Sequence, residues 1–313
     1  MPTQPKNEIR KDLLLDRYVI IAPRRNNRPH ELPDGTLETQ HAATPAPCVF
    51  CPAEIDRVRS LYHVGPALRY WKLKVVMNKF AAVTLDNPRS YGRQEVVIDT
   101  PNHAKQLDDL PVSHVELLFR AYAERTREIQ RNKKIQYILV FKNSGGSAGA
   151  SIQHSHSQIF ATNFIPPHLL HRSQKAQEYV IRTGRCAYCD MIRAEEKSAR
   201  RIYRDALVSV FAPYASQNNY EVWILPRRHV DNVALLHPEE RKALAEQLKR
   251  VLRKITKLHL PYNYYFHQVV NDRDQHLYIK IRPRGSVWAG LEVGSGVIIN
   301  PVAPETAARH YRS

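Results

Sequence analysis

The chain has 313 residues, 43% hydrophobic and 25% charged, with a formal charge of +17. That length suits one large domain or two ordinary ones, and that composition suits a globular protein with ample core. No apolar stretch approaches the ~20 residues of a membrane helix, and MPTQPKNEIRKD lacks the apolar core of a secretory signal, so a cytoplasmic protein without a membrane partner is expected.

In chain order, a short strand at Tyr18–Ile21 is followed by Pro23-Arg24-Arg25-Asn26-Asn27-Arg28-Pro29, and residues 31–47 read as a connecting loop. Cys48-Val-Phe-Cys51 precedes a strand from Leu73 to Met77 that runs into Asn78-Lys79-Phe80. A second strand, Glu95–Ile98, leads to Pro101-Asn102-His103. Ser113-His114-Val115-Glu116 suggests a capping box opening a helix with Val115, Leu118, Tyr122 and Ile129 on its apolar side. The run IQYILVF at 135–141 reads as a buried strand, and a glycine-rich bend follows it, with glycines at 145, 146 and 149. Such a bend can leave backbone N–H groups free for an anion, because no side chain blocks the approach. Beyond it His154, His156 and Gln158 alternate, so an extended chain turns all three to one side.

The second half repeats the order. Cys186-Ala-Tyr-Cys189 precedes strands at Ala206–Phe211 and Glu221–Leu225, the latter ending in Pro226-Arg227-Arg228-His229. Pro238 opens a helix with Leu244, Leu248, Val251, Leu252, Ile255 and Leu258 on one stripe. A strand from Tyr262 to Val270 and a polar loop then deliver His276 on the strand HLYIKIRP. The first cysteine and the Pro-linked histidine lie 55 residues apart in one copy and 43 in the other; the next legs are 51 and 47. Matching order with loop-sized differences in spacing marks an internal duplication, with halves at 1–180 and 181–313.

All four cysteines fall into two Cys-x-x-Cys pairs, which in a cytosolic chain point to metal or redox chemistry rather than structural disulfides. The duplication supplies each pair with two histidines. One set is Cys48, Cys51, His103 and His154; the other is Cys186, Cys189, His229 and His276. Each is a Cys₂His₂ set suited to tetrahedral zinc, so two zinc ions per chain are expected. What is not duplicated is the glycine loop and the residues beyond each last ligand. His156 and Gln158 in the first half correspond in position to Tyr278 and Lys280 in the second. The first half is therefore expected to be catalytic. A neutral imidazole can attack phosphorus and leave again, and Gln158 can donate to phosphate oxygens that gain charge.

The segments APRRNNRPHE, CVFC, VMNKFAAV, VVIDTPNHAKQL, FKNSGGSAGASIQHSHSQ, YEVWILPRRH and AGLEVGSGVIINPVAPE together resemble the galactose-1-phosphate uridylyltransferase branch of the histidine-triad superfamily, from residue 22 to 305. The resemblance implies an α+β fold of two histidine-triad-like halves sharing a largely antiparallel sheet, in a homodimer with sites completed across subunits. It also implies that His156 carries UMP from UDP-glucose to galactose 1-phosphate as a covalent intermediate. By position it makes Asn78 and Phe80 nucleotide contacts, and Asn143, Ser151 and Gln158 phosphate contacts. Arg25 and Arg28 lie near the substrate phosphates and Glu292 accepts from a sugar hydroxyl on the same reading. His-Ser-His-Ser-Gln has serine where the well-known transferase pattern has proline after the first histidine. That version, with a cysteine pair in the second half, is similar to a sister group of ADP-glucose phosphorylases, which pass the adenylyl group to phosphate.

Two further readings use the same features. A zinc-bearing nucleic-acid binder accounts for the charge and the cysteine pairs but not for a glycine loop and free histidine confined to one copy. A dinucleoside polyphosphate hydrolase would use the same histidine, and product release without a sugar-phosphate acceptor distinguishes it.

Overall fold

The computed structural model describes residues 6–27, 47–270 and 272–313. Arg28 and most of the loop expected at 31–47 lie outside the described residues. Thirteen strands run in chain order among the described residues. They are β1 (Glu8–Lys11), β2 (Tyr18–Ile21), β3 (Ser60–Val64), β4 (Leu73–Met77), β5 (Gly92–Ile98), β6 (Tyr137–Ser144) and β7 (His156–Thr162). Then come β8 (Arg201–Arg204), β9 (Val208–Phe211), β10 (Val222–Pro226), β11 (Tyr262–His267), β12 (Tyr278–Pro283) and β13 (Ile298–Asn300).

Ten of these strands form one antiparallel sheet in the order β3-β4-β5-β7-β6-β11-β12-β10-β9-β8. Counted outward from the β6–β11 seam, β6, β7, β5, β4 and β3 run one way, and β11, β12, β10, β9 and β8 run the other in the same sequence. This is the α+β, duplicated histidine-triad-like architecture. Residue 180 falls inside the helix Pro167–Thr183, and the strand pattern restarts at β8.

Strand alternation sorts the apolar side chains onto two faces. Val75, Val97, Val140, Ile159, Val222, Ile224, Ile279 and Ile281 turn toward the helices Val112–Gln130 and Pro238–Lys257 and make one core across both halves. The expected stripe residues Val115, Leu118, Tyr122, Ile129, Leu244, Leu248, Val251, Leu252 and Ile255 are buried in it. On the opposite face Val76, Val96 and Ile98 pack with Ile55 and Trp71, while Leu225, Trp223 and Tyr278 pack with Tyr188 and Ile192. Each cysteine-bearing segment therefore covers its own half of that second face.

The helix Val112–Gln130 starts from Pro111, which holds an extended conformation at the N-cap without a side-chain hydrogen bond. Ser113 and Glu116 thus lie inside the first turns, and the expected capping box does not form. A separate three-stranded sheet, β1-β2-β13, joins the beginning of the chain to its end, with β13 parallel to β2. No helix among the described residues is long and apolar enough to cross a membrane.

Candidate active site and metal centres

The four donor atoms of Cys48, Cys51, His103 and His154 lie within 4.8 Å of one another, as do those of Cys186, Cys189, His229 and His276. Cys51 Sγ is 3.5 Å from His103 Nδ1 and 3.7 Å from His154 Nδ1; Cys189 Sγ is 3.5 Å from His229 Nδ1 and 3.6 Å from His276 Nδ1. A tetrahedron with bonds of ~2.3 Å to sulfur and ~2.0 Å to nitrogen has sulfur–nitrogen edges of about 3.5 Å. Both groups therefore have the dimensions to hold a tetrahedral metal ion.

The surroundings fix the ligand nitrogens. His154 Nε2–H donates to the carbonyl of Thr100 at 2.7 Å, His276 Nε2–H to Pro226 at 2.8 Å and His229 Nε2–H to Arg273 at 2.8 Å. Nδ1 is left to face the cysteines, the tautomer an outer hydrogen bond selects in a metal-binding histidine. Burial pushes the His154 pKa down, keeping it in the neutral, ligating form. A hydrogen bond from the Cys189 thiol drives the Cys186 thiol toward thiolate.

His156 opens β7, two residues beyond His154. Its Nδ1–H donates to the His154 carbonyl at 2.9 Å, leaving the Nε2 lone pair free. Only 8% of the residue is exposed, and burial pushes the pKa of the ring down, so the imidazole is neutral. The Phe50 ring lies 5.0 Å away, between the two cysteines of the first metal group in sequence. A cavity of about 420 Å³ is lined by His156, Asn143, Gly145, Gly146, Ser151 and Gln153, among others.

The glycine loop forms that wall through left-handed backbone at Gly145 (φ +89°) and Gly149 (φ +84°), open to glycine at little cost. A Cβ on Gly145 would meet Pro261 at 2.8 Å. The N–H groups of Ala148, Gly149 and Ala150 are spent on carbonyls of Gly145 and Gly146, so these three amides close the turn rather than face a ligand. Asn143 Oδ1 accepts from Asn263 Nδ2 at 2.8 Å, and the same amide donates to the Ala148 carbonyl at 2.7 Å. Asn263, from the second half, props the loop from behind.

Gln158 is oriented by a chain of unambiguous donors. The Ala82 N–H donates to Gln94 Oε1 at 2.9 Å, which leaves Gln94 Nε2 to donate to Gln158 Oε1, also at 2.9 Å. The Phe80 N–H likewise donates to Asn78 Oδ1 at 2.8 Å, turning Asn78 Nδ2 toward the same Gln158 oxygen at 3.4 Å. With its oxygen engaged twice, Gln158 keeps its Nε2 hydrogens for another acceptor. Phe80 itself is 85% exposed.

Two expected residues stand apart from this group. Arg25 follows β2 and Glu292 sits in the helix Gly290–Ser295, both flanking the small sheet rather than lining the cavity. Partial burial pushes the Glu292 pKa up. The backbone N–H of Ala289 and nearby Arg25 outweigh it and hold the carboxyl below its ordinary value. Gln94 and Asn263 were not among the residues singled out by sequence. Gln94 alternates with Val96 and Ile98 on β5, a periodic signal, but Asn263 has no local sequence mark.

Fold and site together define a duplicated histidine-triad-like protein with two Cys₂His₂ groups and a cavity lined by His156. The family model described as galactose-1-phosphate uridyl transferase, N-terminal domain, matches residues 2–166. An ADP-glucose phosphorylase from Arabidopsis thaliana is 34% identical, covering 97% of this chain and 92% of that protein. A galactose-1-phosphate uridylyltransferase from Thermotoga maritima is 30% identical over 97% of this chain and 98% of that protein. The crystal structure of an Arabidopsis thaliana ADP-glucose phosphorylase with bound ADP-glucose superimposes with a TM-score of 0.87 at 31% identity, covering 99% of both chains. A structure of uridylyltransferase gives 0.76 at 26% identity, covering 98% of both. The chain belongs to the galactose-1-phosphate uridylyltransferase family.

Proposed function

We propose that the chain is a nucleotidyltransferase that passes UMP from UDP-glucose to galactose 1-phosphate through a uridylyl group held on His156. The observation that carries this reading is the free Nε2 of His156, turned away from its Nδ1 bond and set beside the glycine-walled cavity. The Nε2 lone pair forms a bond to the α-phosphorus, and the bond from that phosphorus to the bridging oxygen breaks. Glucose 1-phosphate leaves with the electron pair. In the second step a phosphate oxygen of galactose 1-phosphate attacks the same phosphorus, the P–N bond breaks and the neutral imidazole returns.

Gln158 Nε2 and the Asn143 and Ser151 side chains are the groups proposed to hold the phosphoryl oxygens as charge develops on them. Asn78 and Phe80 are proposed to meet the nucleoside, and Arg25, Arg28 and Glu292 the phosphates and sugar, in a homodimer where a second copy contributes to the cavity. Residues 1–180 are the proposed catalytic half and 181–313 the supporting half. Zinc suits both Cys₂His₂ groups, where a closed set of four ligands supplies rigidity rather than an open coordination position.

A second reading, adenylyl transfer from ADP-glucose to phosphate, is favoured by the 34% identity and 0.87 TM-score of the Arabidopsis proteins. Intact-protein mass spectrometry after mixing with either sugar nucleotide, acceptor withheld, tests both. A uridylyl adduct discharged by galactose 1-phosphate supports the first reading, and an adenylyl adduct discharged by phosphate supports the second. No adduct from either donor rejects covalent transfer from them.

A further inference from the structure

The two halves differ in how their inner strands pair. β11 and β12 pair from Tyr265↔Lys280 through Phe266↔Ile279 to His267↔Tyr278. In the first half the matching rung is Phe141↔Gln158, and there the pairing of β6 with β7 stops. The next two rungs, Lys142 with Ser157 and Asn143 with His156, are open, and the cavity lies at that opening. Ser155 O accepts from the Asp99 N–H on the β5 side, so alternation turns the carbonyl of His156 toward β6, where the ladder no longer serves it.

Lys142 fills that role. Its ammonium donates to the His156 carbonyl at 2.8 Å, to Ser155 Oγ at 2.9 Å and to Asp99 Oδ2 at 2.8 Å, using all three hydrogens. Asp99 also accepts from Ser155 Oγ at 2.9 Å and Ser157 Oγ at 3.0 Å, and Tyr122 OH donates to Ser157 Oγ at 2.7 Å. Lys142 is 1% exposed and Asp99 0%. The rungs just described place Phe266 and Ile279 of the second half where Lys142 and Ser157 stand in the first. Those counterparts are apolar and buried, so the same sheet forms and closes without a polar network.

We propose that Lys142, neutralised by Asp99, is a positioning residue that holds β6 and β7 apart and fixes the backbone of His156 at the cavity. The proposal rests on the reading of His156 as the nucleotidyl carrier, and it assigns a role to the serines of the His-Ser-His-Ser-Gln motif. They link the strand on both sides of His156 to one buried carboxylate.

The test removes ammonium and counter-ion together, in Lys142→Met/Asp99→Leu, because either charge left alone would be buried unpaired. The expected variant keeps the wild-type metal content and an equal or higher unfolding midpoint. Its kcat for adduct formation falls by about 100-fold with the KM for the sugar nucleotide little changed, the size of effect that small misplacements of a reacting group produce. Amide exchange of the segment 142–157 slows as the strands close. A folded variant with wild-type rate and exchange overturns the proposal. So does one that loses metal or fails to fold, since the network would then serve the fold. His156→Ala is the control: if it transfers as well as wild type, the functional reading fails and the exchange measurement alone judges Lys142.

Discussion

The carbonyl oxygen of His154 accepts from Nδ1–H of His156 at 2.9 Å, so a metal-group histidine orients the free histidine two residues on. His154 is itself held from the other side by Thr100. The Nε2 of His156 thus sits at the end of a short relay that starts at Thr100, just past β5, and the two histidines are separable by mutation.

His156→Ala should retain metal, fold and unfolding midpoint while nucleotidyl transfer falls by several orders of magnitude. His154→Ala should lose metal from the first group, and activity with it. Metal analysis alongside steady-state rates checks both. An active His156→Ala enzyme would place the nucleophile elsewhere.

Purified protein should carry about two zinc ions per chain, one for each closed ligand set. Cys186→Ser/Cys189→Ser should lose one of them and unfold at lower temperature, because the free energy of a structural zinc site is folding free energy. Elemental analysis and thermal unfolding read this directly.

Gln94→Leu should leave metal content and unfolding unchanged and lower kcat about 10-fold, since Gln158 loses its best-aligned partner and can turn its amide. The Ala82 N–H, now without an acceptor, can turn to water at an exposed turn. Wild-type kcat in this variant would mean that Gln158 needs no such guide.

Acid should expose a weakness in the second half. Glu221 is fully buried, which pushes its pKa up, but Lys280 at 2.8 Å, Asn218 and Trp223 outweigh burial and leave it below the ordinary carboxylate value. Its contribution to stability is therefore complete above about pH 4.3 and is lost as pH falls through the lowered folded value. The unfolding midpoint should drop below about pH 4, and Glu221→Gln should drop less steeply over the same range. Equal slopes would assign the acid sensitivity to the metal ligands instead.

The cysteine–histidine groups were legible because their order is repeated in the chain, and the alternation of His154, His156 and Gln158 because strand geometry is local. The helix stripes were legible for the same reason. The capping box at Ser113 was misread because Pro111 fixes the N-cap two residues earlier. Strand ends shifted where pairing, not composition, decides them: β6 extends to Ser144 because β11 supplies its partners there. Gln94, Asn263 and the Lys142–Asp99 pair act across strand registers, which a single sequence does not display. Alternation puts a residue on a face; only the pairing says what it meets.

The glycine loop leans on Pro261 and Asn263, and both belong to the half that carries Tyr278 where the other carries His156. A cleanly excised first half would expose the β6 edge that β11 covers, with a row of unpaired amides inviting aggregation. Loss-of-function variants in this chain therefore need not cluster near the histidines. A change at Asn263 can present as a purely kinetic lesion, with both ligand sets intact, and would be misfiled by any survey that sorts damage by distance along the sequence.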